Sequence, residues 1–279
     1  MHHGRAVHLG DGSFKLRRGF VPAPGFHKGA PQFVVCERTW TWARNLADTE
    51  SWPGSVFSGE VTGRAMNQYN LRGDYGNVGG TRKHRWITTL VDELPIGKGR
   101  WLLGNANGVL NGIVGGWRWS TILLAQTGAF ETPFIFFDSS GMNNFNRPDM
   151  VSNPNLSHPT KEHWWDASAF VCPGQSAFTG TGNQLQCSGP PIGRFGNSRV
   201  GTLIGPKTFN FSLGLAKSFQ LTERFKLKFE SSFTNVLNHV NWDDPANSVT
   251  DASFGQVAFA RGGDAGGNRV GQFALRIEF

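Results

Sequence analysis

The chain has 279 residues and a formal net charge of +7, with 37 Gly, 23 Phe and 10 Trp against only 2 Tyr, a composition that favours turn-rich and aromatic-rich β structure. No apolar run approaches the about 18 residues of a transmembrane helix, and the mean hydropathy is −0.32. This composition does not exclude a membrane barrel, because strands that alternate apolar and polar residues have a low mean hydropathy. The basic residues are scattered apart from Arg82, Lys83 and Arg85, so nucleic-acid binding is not predicted.

The first 31 residues show no clean apolar period and are not assigned to any element. The stretch from Met1 to Gly12 contains no apolar segment of the kind found in a signal peptide. Because a secreted barrel needs such a signal, we expect this chain to be the C-terminal piece of a longer polypeptide or a mis-started reading of one.

Alternation of apolar and polar residues predicts six β-strands after residue 31. In chain order they cover residues 33–43, 83–94, 115–129, 207–219, 225–238 and 269–279. The last strand carries its large apolar groups on one face, and these are Phe273, Leu275, Ile277 and Phe279. Strands of about ten residues exceed the five or six usual in soluble proteins and match those that cross hydrocarbon.

The connections between these strands differ greatly in length. Residues 221–224 predict a tight turn, and the glycines at 97–112 another turn, whereas residues 131–206 and 239–268 form long loops rich in Gly, Asn, Pro and Ser. Short turns at one end and long loops at the other are typical of outer-membrane barrels. The predicted fold is therefore all-β, an antiparallel transmembrane β-barrel segment of about six long strands. Since six strands leave edge amides unpaired in lipid, the barrel is expected to be incomplete.

Several short motifs resemble one known family in order and spacing from about residue 39 to 279. They are Thr39-Trp-Thr-Trp42, Asn45-Leu-Ala-Asp48, Lys83-His-Arg-Trp86, Glu93-Leu-Pro-Ile-Gly-Lys-Gly-Arg100, Gly115-Gly-Trp-Arg-Trp119, Asn146-Arg-Pro-Asp149, Trp165-Asp-Ala-Ser-Ala-Phe170, Phe195-Gly-Asn-Ser-Arg199, Leu221-Thr-Glu-Arg224, Phe233-Thr-Asn-Val-Leu-Asn-His239 and Phe254-Gly-Gln256. With the terminal strand, they resemble the C-terminal part of TonB-dependent outer-membrane receptors of the Oar-like subgroup, which carry a carboxypeptidase-regulatory-like domain before the plug. The resemblance implies a plugged barrel of about 22 strands, of which these would be the last six.

The same resemblance implies partners. Lipid of the outer membrane would surround the barrel, and the plug and N-terminal strands of the receptor would complete it. An inner-membrane energy-coupling complex would act through those absent segments. The barrel-assembly machinery would read the C-terminal residues Phe279, Ile277, Leu275 and Phe273 as its signal.

Two groups of aromatic residues have competing interpretations. Trp164 and Trp165, next to His163 in the long loop, can form a platform for a sugar ring or can anchor the loop to the barrel rim. The other tryptophans fit an interfacial girdle or the core of a soluble sandwich. That second group is Trp40, Trp42, Trp86, Trp117 and Trp119.

Cysteine and acidic residues give weaker signals. Cys172 and Cys187 lie 15 positions apart in one polar loop and form either a disulfide or two unrelated thiols. The cluster Asp243, Asp244 and Asp251 matches no calcium loop, and a solvated acidic turn is the preferred interpretation. His2, His3 and His8 are not expected to bind a metal. No metal or cofactor site is predicted.

Catalytic signatures are missing from the sequence. Gly196-Asn-Ser198-Arg-Val200 fails as a nucleophile elbow because Val200 replaces the second glycine. We therefore expect a protein without enzymatic activity. The resemblance to TonB-dependent receptors implies a location in the cell outer membrane and a part in energised uptake of a scarce solute. The alternatives are a secreted soluble β-sandwich that binds carbohydrate and a surface adhesin built on the same barrel.

Overall fold

The computed structural model describes most of the chain. The described residues are 7–8, 12–16, 35–48, 66–67, 69–142, 146–261 and 267–279. Within these ranges the chain is almost entirely β and turn, with one α-helix, α1 (Gly108–Val114), and two short 3₁₀ turns at Leu71–Asp74 and Ala167–Ala169. Among the described residues, no helix has the length and apolarity that a membrane span requires.

Seven strands form one antiparallel sheet in which each strand pairs with the next along the chain. They are β1 (Gly12–Leu16), β2 (Val35–Trp42), β3 (His84–Glu93), β4 (Trp117–Gln126), β5 (Thr208–Gln220), β6 (Lys226–Thr234) and β7 (Val270–Glu278). The sheet does not close on itself, since β1 and β7 are its two edges. Strands β3 to β7 have 9 to 13 residues, the length that tilted strands need to cross hydrocarbon.

The six predicted strands are confirmed, with ends displaced by at most four residues. The largest displacement is at the end of β6, predicted at residue 238, where Asn235 (φ 49°) and Asn238 (φ 51°) adopt left-handed backbone conformations that end the strand at Thr234. The seventh strand, β1, lies in the segment that periodicity left unassigned. Its five residues are too few to show alternation above the surrounding irregular sequence.

One face of the sheet is apolar across neighbouring strands. Leu275 pairs with Phe229, and the Phe273 ring lies 5.5 Å from that of Phe233 and 6.4 Å from that of Phe229. On β7, Phe273 is 69% exposed and Leu275 is 68% exposed. None of these side chains belongs to the buried core. On β6 and β7 the opposite face carries mainly small and charged residues, as a lumen-facing surface does, whereas on β3 and β4 it also carries Ile87, Ile122 and Leu124.

Tryptophans mark both ends of this apolar face. Trp40, Trp42 and Trp86 lie near one end, and Trp117 and Trp119 near the other. Trp86 pairs with Ala125, which is eight residues from Trp117 along β4, a distance of about 26 Å in an extended strand. For strands tilted by about 35–45°, this corresponds to about 18–21 Å of height, within the about 25 Å band that faces lipid.

The two ends of the sheet differ in their connections. At one, called the turn end, a turn closed by a backbone hydrogen bond from Leu221 to Phe225 joins β5 to β6. The 94–116 connection at the same end contains α1, where the sequence predicted only a Gly-rich turn; the Asn107 side chain caps it by accepting from Leu110 N–H at 2.8 Å. Lys217 Nζ donates to the Ile113 carbonyl at 2.7 Å. This bond holds the connection against the seven-stranded sheet β1 to β7, which we call the wall.

At the other end, called the loop end, the described residues of 127–207 and 235–261 fold together into a unit that we call the cap. Its regular structure consists of three short antiparallel ladders, Phe130–Glu131 with Leu203–Ile204, Asp149–Met150 with Phe170–Val171, and Gly180–Thr181 with Gln184–Leu185. The hydrophobic core of the described chain lies entirely in the cap. Its members are Ile135, Trp165, Ala167, Ala169, Phe170, Cys172, Leu185, Leu203, Val249 and Phe254.

The segment after β2 joins the cap to the wall. Asn45–Ala47 pairs with Val7–His8 and with Gly76–Asn77 in a small sheet. Arg147 of the cap forms a buried ion pair with Asp74, and both side chains are 1% exposed. The Asp74 carboxylate also accepts from Met66 N–H at 2.9 Å. Arg147 Nη2 also donates to the Gly73 carbonyl at 3.1 Å, whereas Arg147 Nε and Nη1 are buried without a hydrogen-bond partner among the described residues.

Candidate functional site

The loop end is the candidate site, because the loop that the sequence marked as functional is anchored there. The structure separates the three predicted ligand residues. Trp165 is completely buried and its ring lies 5.8 Å from that of Phe254, so it cannot present a face to a sugar. His163 is exposed on a turn closed by its backbone hydrogen bonds with Thr160. Trp164 is half-buried and lines a cavity. The platform interpretation is therefore wrong for Trp165, which anchors the loop.

The two adjacent tryptophans share one hydrogen-bond acceptor. Both indole N–H groups donate to the Ile204 carbonyl at 3.0 Å. Ile204 belongs to the short ladder just before β5, so the pair fixes the 160s segment to the base of a wall strand. Trp165 continues into the core, whereas Trp164 stays at the surface of the cap.

A cavity of about 930 Å³ lies between the cap and the loop ends of β2, β3, β4 and β5. We call it the rim cavity. Its aromatic and basic lining residues are Trp42, Phe130, Trp164, Trp242, Arg44, Lys83, Lys207 and His239. The lining contains no carboxylate side chain. This composition suits a ligand that carries both a flat or apolar surface and negative charge.

Sequence reasoning assigned no ligand role to most of these lining residues. Trp242 falls in the long loop 239–268, and His239 and Lys83 appear only as parts of family motifs or of a short basic cluster. Arg44 follows the last residues of β2, and Lys83 and Lys207 each directly precede a strand. Basic residues that flank apolar strands at the same end were the available signal, but strand pairing was needed to bring them together.

The cap is fastened by a disulfide and by side-chain amides. Cys172 and Cys187 are joined, with their Cα atoms 5.6 Å apart, while Cys36 is free. Asn183 Nδ2 donates to the carbonyls of Trp165 at 3.0 Å and Phe254 at 2.9 Å, and its Oδ1 accepts from Ala167 N–H at 2.8 Å. One half-buried amide thus connects three segments that have no ladder between them.

Two carboxylates and two guanidinium groups meet at the junction of cap and wall. Arg261 Nη2 donates to Asp244 Oδ1 at 2.6 Å, and Arg82 Nη1 donates to the Thr127 carbonyl at 2.7 Å. Burial, reinforced by the nearby Asp244 charge, raises the pKa of Glu131 to about 8. Burial also raises the pKa of Asp244, although the Arg261 charge opposes this. Glu131 is therefore protonated at neutral pH and titrates near pH 8.

The acidic turn residues are engaged inside the protein. Asp251 Oδ1 accepts from Ser253 N–H at 2.8 Å, and Asp243 lies 3.9 Å from Arg261. Asp244 is a half-buried ion-pair partner of Arg261 and not the solvated residue that the sequence predicted. Within the described ranges, no group of His, Cys, Asp and Glu residues is arranged to hold a metal ion. His2, His3 and the side chain of His8 lie outside the described residues.

The predicted assembly-signal residues all lie on or directly after β7, at the edge of the sheet. Phe273, Leu275, Ile277 and Phe279 are exposed on its apolar face, and Phe279, at the turn end, is 89% exposed. Their common orientation agrees with the predicted alternation. A role in assembly remains a prediction.

Comparison with known proteins agrees with this architecture. The family model of an outer membrane beta barrel domain matches residues 34–272, which cover β2 to β6, the cap and the start of β7. No match was found among curated proteins or among solved structures. The chain belongs to the outer membrane β-barrel domain family and is located in the outer membrane.

Proposed function

We propose that this chain is the C-terminal part of a TonB-dependent receptor of the Oar-like type, which takes up a scarce solute with energy from the inner membrane. The motif series from Thr39 to the last strand supports this assignment. The proposed role is transport without catalysis and without a bound cofactor. In receptors of this type, the plug and the remaining strands also contribute to the solute-binding site.

The observation that carries the proposal is the contrast between the two ends of the sheet. The turn end closes β5 to β6 with a few residues, whereas the loop end carries a cap with its own core and disulfide. A receptor that captures a dilute solute needs ordered loops around the outer opening of its barrel. Loops that became ordered only on binding would lower the affinity for the solute. A preorganised cap supplies that structure.

The partners follow from the sheet edges and from the resemblance. Strands β1 and β7 each present an unpaired edge, and each unsatisfied backbone group costs several kcal/mol in lipid. We propose that further strands of the receptor pair with these edges and that a plug occupies the lumen. An energy-coupling complex would contact the plug side, and the barrel-assembly machinery would bind the C-terminal strand around Phe279.

The alternative prediction of a soluble carbohydrate-binding sandwich is wrong. The chain belongs to an outer-membrane family, and among the described residues its large sheet contributes none to the hydrophobic core cluster. An adhesin on the same barrel would use the cap for attachment. It differs from a transporter only in what the cap contacts, so it becomes an outcome of the test below.

The experiment compares two deletions in the native organism, one of the full-length receptor gene and one of the energy-coupling protein. Spent medium from each strain is profiled for solutes left unconsumed. We expect the receptor deletion to leave a small set of solutes that is contained within the set left by the energy-coupling deletion. Re-expression of the full-length receptor should restore their consumption.

Two results would contradict transport. A receptor deletion that leaves no solute behind but loses surface attachment supports an adhesin. If the strain without the energy-coupling protein consumes these solutes normally, the TonB-dependent assignment is wrong. The assignment to the outer-membrane barrel family is not affected by that result.

A further inference from the structure

The rim cavity is lined by residues that stand on the apolar side of the sheet. Trp42 lies on the same face as Trp40, and Phe209 lies on the same face as Leu213. The His239 ring packs edge-on against Phe209 with centroids 5.7 Å apart. The cavity is therefore continuous with the lipid-facing band and lies just beyond its tryptophan-marked end.

Three cations line this cavity. Arg44, Lys83 and Lys207 are exposed, and each stands within two residues of a strand end. Among the described residues, none of the three takes part in an ion pair. The lining holds no carboxylate, and the Asp244 carboxylate beside the lining residue Gly205 is paired with Arg261, so the three cations leave a positive local charge. Such a charge attracts anions.

The rim cavity combines these cations with tryptophans. Trp42, Trp164 and Trp242 present half-buried rings, the arrangement that suits a ring at the boundary between hydrocarbon and water. Phosphate groups accept hydrogen bonds from Arg and Lys, and apolar sugar faces stack on indoles. A headgroup that is both phosphorylated and sugar-based would satisfy both halves of the cavity.

We propose that the rim cavity binds the phosphorylated sugar headgroup of an outer-leaflet lipid, with Arg44, Lys83 and Lys207 as phosphate ligands. A soluble sugar phosphate shares this chemistry. The lipid is the favoured source, because two lining residues, Trp42 on the apolar face of β2 and His239 against Phe209, lie on the lipid-facing side of the sheet. Acyl chains attached to the headgroup would lie along the apolar face below it. This binding does not depend on whether the receptor transports a solute.

The test uses the full-length receptor purified from outer membranes in a mild detergent, with retained lipid counted by native mass spectrometry. The key variant is R44Q/K83Q/K207Q. A charge-preserving variant, R44K/K83R/K207R, keeps the cations. A matched control, K98Q/R224Q/K226Q, removes three exposed cations at the turn end and causes the same change in net charge.

We expect the glutamine variant to lose retained phosphorylated lipid by at least about tenfold, while the charge-preserving variant and the turn-end control keep it, since each cation near an anionic headgroup adds to affinity. Heat-modifiable migration in gels verifies folding. If the triple variant fails to assemble, the single substitution K207Q at an exposed residue should still lower retention by about threefold.

Competition separates the sources of phosphate. Added lipid A in nanodiscs should reload the delipidated receptor, whereas inorganic phosphate or glucosamine phosphate should neither bind nor displace the lipid. Equal retention in R44Q/K83Q/K207Q and the parent would overturn the proposal, as would equal loss in the turn-end control. Displacement by glucosamine phosphate would assign the cavity to a soluble solute instead of a lipid.

Discussion

The wall and the cap place their apolar residues in opposite ways. In the wall, Leu275 and Phe273 point away from the protein and stay exposed, although they are as hydrophobic as any core residue. In the cap, Trp165 and Phe170 are completely buried. Hydrophobicity alone therefore does not identify the interior of this molecule. The surrounding medium decides, because lipid replaces a protein core for the wall and water forces one inside the cap.

The two regions also satisfy their backbone groups differently. The wall uses long ladders, such as the ten paired residues between β4 and β5. The cap has ladders of only two residue pairs each and relies on amide side chains, including Asn155, whose Oδ1 accepts from Ile204 N–H at 2.8 Å. Asn and Gly therefore serve as structural residues in the cap, although their abundance in the sequence is typical of an irregular loop.

The largest test of this comparison is the substitution Trp165→Ala. Removing a fully buried tryptophan should destabilise the cap by about 3–5 kcal/mol, because the transfer free energy is lost and a cavity remains. Hydrogen exchange on the full-length receptor should show faster exchange at residues 146–207 and unchanged protection in β5 and β6. Trp164→Ala, next in sequence and with the same acceptor, should cost only about 1 kcal/mol.

An equal effect of the two tryptophan substitutions would show that Trp165 is not an anchor of the core. Loss of protection in β5 together with the cap would show that wall and cap unfold as one unit, and the distinction drawn between them would fail.

A second test reverses the chemistry of one wall face. Leu213, at the middle of β5 on the apolar face, should tolerate arginine poorly, at a cost of about 2–4 kcal/mol near the bilayer midplane. Its neighbour Ser212 lies on the polar face, so Ser212→Arg should cost far less. Denaturant unfolding of the full-length protein in lipid vesicles measures both. A larger cost for Ser212→Arg would mean that the two faces are assigned the wrong way round.

The wall was predictable because its alternation is set by physics that acts residue by residue. Phe209, Phe211 and Leu213 alternate with Asn210 and Ser212, and a period of two is readable without knowing any partner. The ends were less certain, because the left-handed conformations at Asn235 and Asn238 depend on local contacts. For example, Asn235 Nδ2 donates to the Gly267 carbonyl at 2.6 Å. Strand β1 is too short to show a period.

The cap was not predictable in the same way, because its core is assembled from distant segments. Phe254 packs on Trp165 and Phe170, about 85 residues earlier, and no local spacing connects them. The rim cavity shows the same limit. Arg44 and Lys207 come together only through the register of β2 to β5, which the sequence pattern does not give.

The disulfide offers a third test, confined to the cap. Cys172 and Cys187 are separated by 15 residues, and a loop of this length corresponds to about 3 kcal/mol in the chain-entropy view of cross-linking. Replacing both by serine should therefore increase protease cleavage in residues 173–186 of the intact receptor. Cys36→Ser, which removes the free thiol in β2, serves as the control. Identical cleavage in both variants would show that the cap is held by its core alone.

The smallest expected effect concerns pH and the junction between the two regions. The pKa of Glu131 is raised from 4.5 to about 8 in the folded cap, so the folded state holds a proton that the opened state releases. The stability that this proton confers is complete below about pH 4.5 and is lost as the pH rises toward 8. Between pH 6 and pH 7 the free energy of cap opening should fall by up to about 1.4 kcal/mol, a tenfold change in the opening constant. Hydrogen exchange rates of the cap, corrected for the intrinsic pH dependence of exchange, measure this slope.

Glu131→Gln should remove the pH dependence of cap opening. Asp251→Asn should leave it unchanged, because hydrogen bonds from Ser253 keep the pKa of that exposed carboxyl below its usual value. A slope that survives in Glu131→Gln would assign the titration to Asp244, whose pKa is raised by the same burial, and not to Glu131.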